Sequence, residues 1–119
     1  MVRAIRGATT INENSADAIY SATAELLKEM ISQNGLNKED IISIIFSVTS
    51  DISAAFPAVA ARQMGWTKTA MMCTYEIDVP GSLKKCIRIM MHIETGKEND
   101  ELKYVYLREA KRLRPDIAE

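Results

Sequence analysis

The sequence predicts an α/β (α+β) fold in which helices pack on a mixed β-sheet, and three observations lead to that prediction. The 119-residue chain is 47% apolar and 26% charged, a composition typical of one compact domain. Its apolar residues alternate between helical spacing and strand-like runs. The resulting element order, β-α-β-α-β-β followed by a short tail element, implies a mixed sheet with helices packed on it. We therefore expect a single domain over residues 1–119.

The first half of the chain is predicted to form a strand, a helix and a second strand. Residues 2–9 are mostly small, aliphatic or basic, which favours a strand. Ser15 or Asn14 can cap a helix with apolar residues at three- and four-residue spacing, and Gly35 ends it because glycine accepts the left-handed conformation. The β-branched run from residue 41 to 49 predicts a strand that is covered on both faces.

The second half is predicted to form a short helix and two more strands. Pro57 stands in the first turn of the helix, where its missing N–H does no harm, and Gly65 ends it. Residues 69–77 predict one strand and residues 83–93 another. In the latter, isoleucine and methionine side chains alternate with a second set on the opposite face. That second set is Cys86, Arg88, Met90 and His92.

Charge and residue counts exclude several kinds of chemistry. Fifteen basic and sixteen acidic residues give a net charge of −1, whereas nucleic-acid-binding proteins usually carry a basic excess. One histidine and two separated cysteines offer no zinc cluster, no C-x-x-C pair and little material for a histidine triad. No segment resembles a signal peptide or a membrane span, so we expect reduced thiols and a cytoplasmic location. We expect no metal, cofactor, nucleic-acid or membrane partner.

Three charged residues, Arg6, Glu76 and Arg88, lie within otherwise apolar strand segments. A buried charge is destabilising unless it is paired or bound to a ligand. Each residue also has a structural interpretation, since Arg6 can lie on an edge strand, Glu76 at a strand end and Arg88 on a solvated face. The residues alone therefore leave two functions open: a binding module for an anionic ligand, and an enzyme that acts by placing charges.

Six motifs occur in order along the chain and contain these charged residues. They are Ile5-Arg6-Gly7-Ala8-Thr9-Thr10, Phe56-Pro57-Ala58 followed by Arg62, Cys73-Thr74-Tyr75-Glu76-Ile77-Asp78-Val79, Leu83-Lys84-Lys85-Cys86-Ile87-Arg88, Val105-Tyr106-Leu107 and Leu113-Arg114-Pro115-Asp116. From residue 3 to about residue 117, the chain resembles the AroH-class chorismate mutases, small monofunctional enzymes of aromatic amino-acid synthesis. The resemblance implies a pseudo-α/β-barrel homotrimer with active sites between subunits and no cofactor.

The resemblance also implies an activity and a set of site residues. The activity is the intramolecular Claisen rearrangement of chorismate to prephenate, with no covalent intermediate. Arg88 is expected at the ether oxygen, where negative charge develops, and Arg6 and Tyr106 at a substrate carboxylate. Glu76 and Cys73 are expected at the ring hydroxyl. The remaining substrate-binding residues are Phe56 and Leu113 as apolar wall, Arg62 at the mouth, and Met72.

The resemblance further implies that two subunits contribute to each site. Phe56, Arg62 and Cys73 of one protomer are expected to meet a second group from its neighbour. That second group is Arg6, Glu76, Arg88 and Tyr106.

The chain departs from the family pattern at a few positions. Val59 stands where a lysine is common, which removes one peripheral cation, and Met72 stands where threonine is familiar. The loop before Trp66 is one residue shorter. The segment after Pro115 is short, so we do not expect a long tail to close over the pocket.

Two other functions remain as alternatives. One is a non-enzymatic trimer that binds a small carboxylate metabolite as a sensor or scaffold, since one fold can serve many functions. The other is an enzyme of the same fold that acts on a different cyclic ether or enol acid. The presence of both Arg88 and Glu76 favours an enzyme, because a carboxylate sensor needs only the arginines.

Overall fold

The computed structural model describes residues 1–113 and contains one five-stranded sheet. The strands and α-helices in chain order are β1 (Val2–Thr10), α1 (Ala16–Asn34), β2 (Ile41–Val48), α2 (Ala58–Gln63), β3 (Ala70–Tyr75), β4 (Cys86–Glu94) and β5 (Val105–Tyr106). The strand order is β3-β2-β4-β1-β5. β4 runs antiparallel to both of its neighbours, while β3 and β5 run parallel to β2 and β1 at the two edges. The predicted mixed sheet with packed helices is confirmed.

Helix α1 has the predicted caps at both ends. The Ser15 hydroxyl accepts a hydrogen bond from the Ala18 N–H at 3.2 Å, which satisfies one of the free amides of the first turn. Gly35 ends the helix with φ +60°. The buried side chain of Asn34 donates to the Lys103 carbonyl at 3.0 Å and accepts the Lys103 N–H at 2.7 Å. These bonds fasten the end of α1 to the segment that precedes β5.

The central strand β4 has two different faces. Its isoleucines and Met91 are at most 2% exposed and pack beneath the helices, on what we call the core face. Arg88, Met90 and His92 point the other way, as the alternation predicts, and are half-buried or exposed. Strand register extends this second surface across the sheet, and we call it the open face. Its members include Arg6, Ser43, Ile45, Ser47, Met72, Arg88, Met90 and His92.

Strand β2 is covered on one face only, so the prediction of cover on both faces is wrong for the described chain. Ile44 and Phe46 are fully buried on the core face, whereas Ile45 is half-buried. Ile42, beside a register irregularity, is 45% exposed. The physical reason is that both α-helices pack on the core face, which leaves the middle of the open face without a covering layer.

Strands β3 and β4 are shorter than predicted. β3 ends at Tyr75 rather than at residue 77, and β4 begins at Cys86 rather than at residue 83. Lys85, immediately before β4, has a φ of +49°, and this left-handed conformation interrupts extended geometry. Around α2, Pro57 lies just before the first helical residue and Gly65, with φ +107°, just after the end.

The last described segment covers one end of the open face. A 3₁₀ helix, Arg108–Leu113, follows β5 and folds back beside β1. It buries a small cluster that consists of Ala8, Cys86, Tyr106 and Ala110, with Leu113 packed against it. The expectations for Arg114–Asp116 and for tail closure lie outside the described residues. Among residues 1–113, no helix is long and apolar enough to cross a membrane.

Candidate active site

An ion pair between Arg88 and Glu76 lies at the centre of the candidate site. Arg88 Nη1 donates to Glu76 Oε1 at 3.1 Å, and the two side chains are 31% and 25% exposed. On the open face, Arg88 lies in register with Ala8 of β1 and Ser47 of β2. Glu76 follows β3 directly, and its N–H donates to the Val48 carbonyl at 2.8 Å. Both charges are thus held at one end of β2, and both keep some access to a ligand.

Cavities open directly over this ion pair. One of about 250 Å³ is lined by Glu76, Arg88 and Leu113 together with Cys86 at its floor. A neighbouring cavity of about 430 Å³ shares Glu76 and is bounded by the loop between β3 and β4. Together they fall within the range of about 300–1,000 Å³ that is usual for small-molecule sites. This end of the sheet therefore has room for a compact ligand.

On one side, the approach to these cavities carries a net positive charge. A wider groove of about 720 Å³ continues past Leu113 and is lined by Lys84, Lys85 and Arg112, with Glu109 as its acidic member. Charge of one sign along a groove raises the local concentration of the opposite ion. The approach is therefore suited to an anion.

Cys86 lies buried beside the Arg88 guanidinium, at 2% exposure. Burial raises the pKa of its thiol to about 11, while the neighbouring Arg88 acts in the opposite direction. The thiol is therefore protonated near neutral pH and is a poor nucleophile. No group of three or more His, Cys, Asp or Glu side chains within residues 1–113 is arranged to hold a metal ion.

Tyr106 presents a buried hydroxyl on β5, two strands from Arg88 across the sheet. Its side chain is 5% exposed, and the hydroxyl has no hydrogen-bond partner among residues 1–113. Tyr106 pairs in register with Ala8, which in turn pairs with Arg88. An unpaired buried hydroxyl is destabilising, so this position suits a ligand that supplies an acceptor.

Arg6 and Met72 lie farther along the open face. Arg6 is half-buried and in register with Met90, which makes it a diagonal neighbour of Arg88 across β1 and β4. The structure therefore brings the predicted cations Arg6 and Arg88 onto one surface. Met72 is 58% exposed and in register with Ile45 of β2.

The other predicted site residues lie apart from the ion pair. Phe56, which is 68% exposed, and Cys73 line a separate cavity of about 460 Å³, together with Val59. Cys73 is in register with the buried Phe46, so its side chain points toward the core face and not toward Glu76. Arg62 is exposed on α2. Within one chain, the predicted residues thus form two groups, one around Arg88 and one around Phe56.

Two residues at the end of β2 were missed by reasoning from the sequence. Thr49 lines both cavities that contain Glu76, and Asp51 lines the larger of the two. Threonine and aspartate are common in turns after strands, so their presence carries no functional signal by itself. Their importance becomes visible only through contacts with Lys85 and Cys86, more than thirty residues away along the chain.

Comparisons with known proteins agree along nearly the whole chain. Residues 2–117 match the family described as Chorismate mutase type I. The chain is 47% identical over 118 residues to chorismate mutase AroH of Thermus thermophilus, covering 98% of this chain and 97% of that protein. It is 41% identical over 119 residues to chorismate mutase AroH of Bacillus subtilis (strain 168), covering 99% and 94%. The solved structure of a chorismate mutase from Clostridium thermocellum is 63% identical and superposes with a TM-score of 0.91, covering 92% of this chain and 98% of that one.

Proposed function

The chain belongs to the chorismate mutase type I family, and on that premise we propose that it is an enzyme that converts chorismate into prephenate in phenylalanine and tyrosine biosynthesis. The observation that carries the proposal is the Arg88–Glu76 ion pair under an open cavity. The Tyr106 hydroxyl, two strands away, is buried without a partner among residues 1–113. A cation and an anion under one cavity, next to a basic groove, suit a small, doubly charged substrate that also carries a hydroxyl.

The proposed reaction is a Claisen rearrangement within one substrate molecule. The ether C–O bond breaks as a new C–C bond forms, the enol ether becomes a ketone, and no proton or leaving group is transferred. As the bond breaks, negative charge develops on the ether oxygen and positive charge on the ring. The enzyme therefore has two tasks, which are to hold the folded diaxial conformer and to place complementary charges around it.

Arg88 performs the main electrostatic task in this mechanism, by donating to the ether oxygen. The support is its ion pair with Glu76, which orients the guanidinium before substrate arrives. A donor that is already oriented stabilises the transition state without reorganisation during the reaction. Glu76 accepts a hydrogen bond from the ring hydroxyl and faces the positive side of the polarised ring.

Tyr106 and Arg6 bind the side-chain carboxylate. Tyr106 is supported by its buried hydroxyl without a partner among the described residues, and Arg6 by its place diagonal to Arg88. Leu113 contributes apolar wall beside Cys86. The Cys73 side chain points toward the core face. Cys73 can therefore contact the substrate hydroxyl only through its backbone, or from the cavity that it lines together with Phe56.

The proposal includes a homotrimer in which each site forms between two subunits. It is supported by the separation of the two residue groups within one chain and by large apolar side chains that the chain leaves in solvent. These exposed residues include Ile42, Phe56, Met72, Tyr75, Ile77 and Val79. Phe56, Cys73 and Arg62 of one subunit then meet the Arg88 group of the next, with Arg62 at the mouth. The two free cysteines suit a cytoplasmic protein.

The test is an assay of the purified protein with chorismate as substrate, followed by the loss of its ultraviolet absorbance. We expect a rate far above that of chorismate in buffer, and no acceleration would refute the activity. Binding of chorismate or prephenate in thermal melts without turnover would instead support the sensor alternative. Light scattering tests the assembly, and a monomer with full turnover would rule out a site between subunits.

A further inference from the structure

A hydrogen-bonded network outside the proposed substrate contacts joins the end of β2 to the start of β4. Both oxygens of Asp51 accept the backbone N–H of Lys85, at 3.0 and 3.1 Å. The same carboxylate accepts the Thr49 hydroxyl at 2.5 Å, and the Thr49 oxygen accepts the Cys86 N–H at 2.9 Å. Two polar side chains of one turn thus bind two consecutive amides of the segment that leads to Arg88.

The network holds Lys85 in an unfavourable backbone conformation. Its φ of +49° lies in the left-handed region, which residues with a Cβ rarely adopt and which persists only where surrounding contacts enforce it. The Lys85 carbonyl accepts the Ile11 N–H at 2.9 Å, and its ammonium donates to the Asn12 carbonyl at 3.0 Å. Asp51 restrains Lys85 from the other side, by accepting its backbone N–H.

The restrained segment leads directly to the proposed catalytic arginine. Strand pairing places Ser47 opposite Arg88, and the Thr49 N–H donates to the Cys86 carbonyl at 3.1 Å where the ladder ends. Arg88 is therefore only two residues from the point at which β4 begins. Glu76 is attached to the same end of β2 through the Val48 carbonyl. The relative position of the two charges depends on how firmly β4 is anchored there.

We propose that Asp51, with Thr49, is a positioning residue that fixes the Arg88 guanidinium relative to Glu76 and the substrate. The inference rests on the proposed function, because it concerns the same site. Asp51 acts through the backbone of Lys85 and Cys86 and need not touch the substrate. Its loss lowers transition-state stabilisation, since Arg88 acts on charge that exists only as the ether bond breaks.

The test begins with Asp51→Asn, which keeps the side-chain shape but turns one acceptor oxygen toward Lys85 into a donor. Because small displacements of a catalytic group are costly, we expect kcat to fall roughly ten- to a hundredfold while KM changes less than about threefold. In an Arg88→Ala background, we expect the same substitution to change kcat by less than about twofold, because it acts through Arg88. Equal losses in both backgrounds, or a lower Tm with unchanged kcat, would overturn the proposal.

Two further comparisons distinguish the loss of these hydrogen bonds from a general effect of substitution on folding. Thr49→Ser keeps the hydroxyl and should retain activity, whereas Thr49→Val should show the same loss in kcat as Asp51→Asn. Asp100→Asn is the matched control, since Asp100 is exposed and follows the opposite end of β4.

Amide hydrogen exchange gives a readout that does not need chorismate. In Asp51→Asn, we expect the Lys85 and Cys86 amides to exchange at least about tenfold faster while core-face amides keep their protection. Unchanged exchange at these two amides would overturn the inference. A wild-type protein without activity would refute the proposed function alone, because the exchange result would still report whether Asp51 anchors β4.

Discussion

Ile89 and Arg88 are adjacent in β4, yet they lie in opposite environments. Ile89 is 2% exposed in the main core, whereas the Arg88 side chain is 31% exposed and ion-paired beneath a cavity. The same contrast holds across the sheet, because both α-helices pack on the core face and the middle of the open face has no cover from residues 1–113. The core face therefore supplies the stability of the fold, and the open face carries the charges proposed for catalysis and assembly.

The largest effect on stability is expected on the core face. Phe46→Ala removes a fully buried aromatic ring and should lower the free energy of unfolding by about 3–5 kcal/mol. Within one chain, Ile42→Ala, four residues earlier and 45% exposed, should cost about 1 kcal/mol or less, and a neighbouring subunit that covers Ile42 should raise that cost. Urea denaturation measures both. Similar losses for the two variants would mean that the open face is buried as deeply in the assembled protein.

A comparable effect on catalysis, with little effect on stability, is expected on the open face. Arg88→Lys keeps the charge but loses the planar guanidinium, and it should lower kcat by about 10²–10³-fold. Arg3→Lys makes the same change in an ion pair with Glu98, away from the cavities, and should retain wild-type kcat. The chorismate assay and a thermal melt of each variant check this. Wild-type kcat in Arg88→Lys would remove Arg88 from its central role.

The covered end of the open face, where Cys86 is buried, should make stability depend on pH in the alkaline range. Burial raises the Cys86 pKa from its ordinary 9.0 to about 11, so above pH 9 the unfolded chain loses a proton that the folded chain retains. The contribution of Cys86 is therefore complete below pH 9 and is lost as pH rises through 11, by about 2–3 kcal/mol. Denaturation curves of Cys86→Ser should lack this part of the decline, whereas Cys73→Ser should keep it. Parallel pH curves for the wild type and Cys86→Ser would contradict the prediction.

The smallest effect on stability is expected at the N-terminal cap of α1, the long helix that packs on the core face. Ser15→Ala removes the acceptor for the Ala18 N–H and should lower the free energy of unfolding by about 1 kcal/mol, with unchanged kcat. Ser21→Ala, at an exposed position inside the same helix, should be neutral or slightly stabilising. Thermal melts and the chorismate assay on both variants test this prediction. A fall in kcat with Ser15→Ala would show that α1 and the open face are coupled.

The sequence predicts the two faces well where local periodicity determines them. Alternation in residues 83–93 separates Ile89 from Arg88, and the Ser15 and Gly35 caps locate α1. The sequence pattern does not predict which face of β2 is buried, because a long apolar run does not indicate which face another layer covers. It also cannot locate the start of β4, because the left-handed conformation of Lys85 depends on a hydrogen bond that its backbone N–H donates to Asp51, far away in the chain.

The candidate site is predictable from the sequence only in part. The charges at Arg6, Glu76 and Arg88 stand out because they interrupt apolar strands, and the family motifs add Tyr106. The separation of the site residues into two groups within one chain cannot be predicted from the sequence, because it depends on the cross-strand register. That register turns the Cys73 side chain away from Glu76 and brings Arg6 and Arg88 onto one surface.

The strand order has a consequence for how the chain folds during synthesis. β1 is made first, but its antiparallel partner β4 comprises residues 86–94 and also separates it from β2. A growing chain therefore emerges from the ribosome with β1 unpaired, at about 5–20 residues per second, until most of the chain has been synthesised. Because so many of its contacts join distant residues, we expect refolding over milliseconds to seconds rather than microseconds. Through that interval, the unpaired edges of β1 and β2 are the parts of the molecule most exposed to association with other nascent chains.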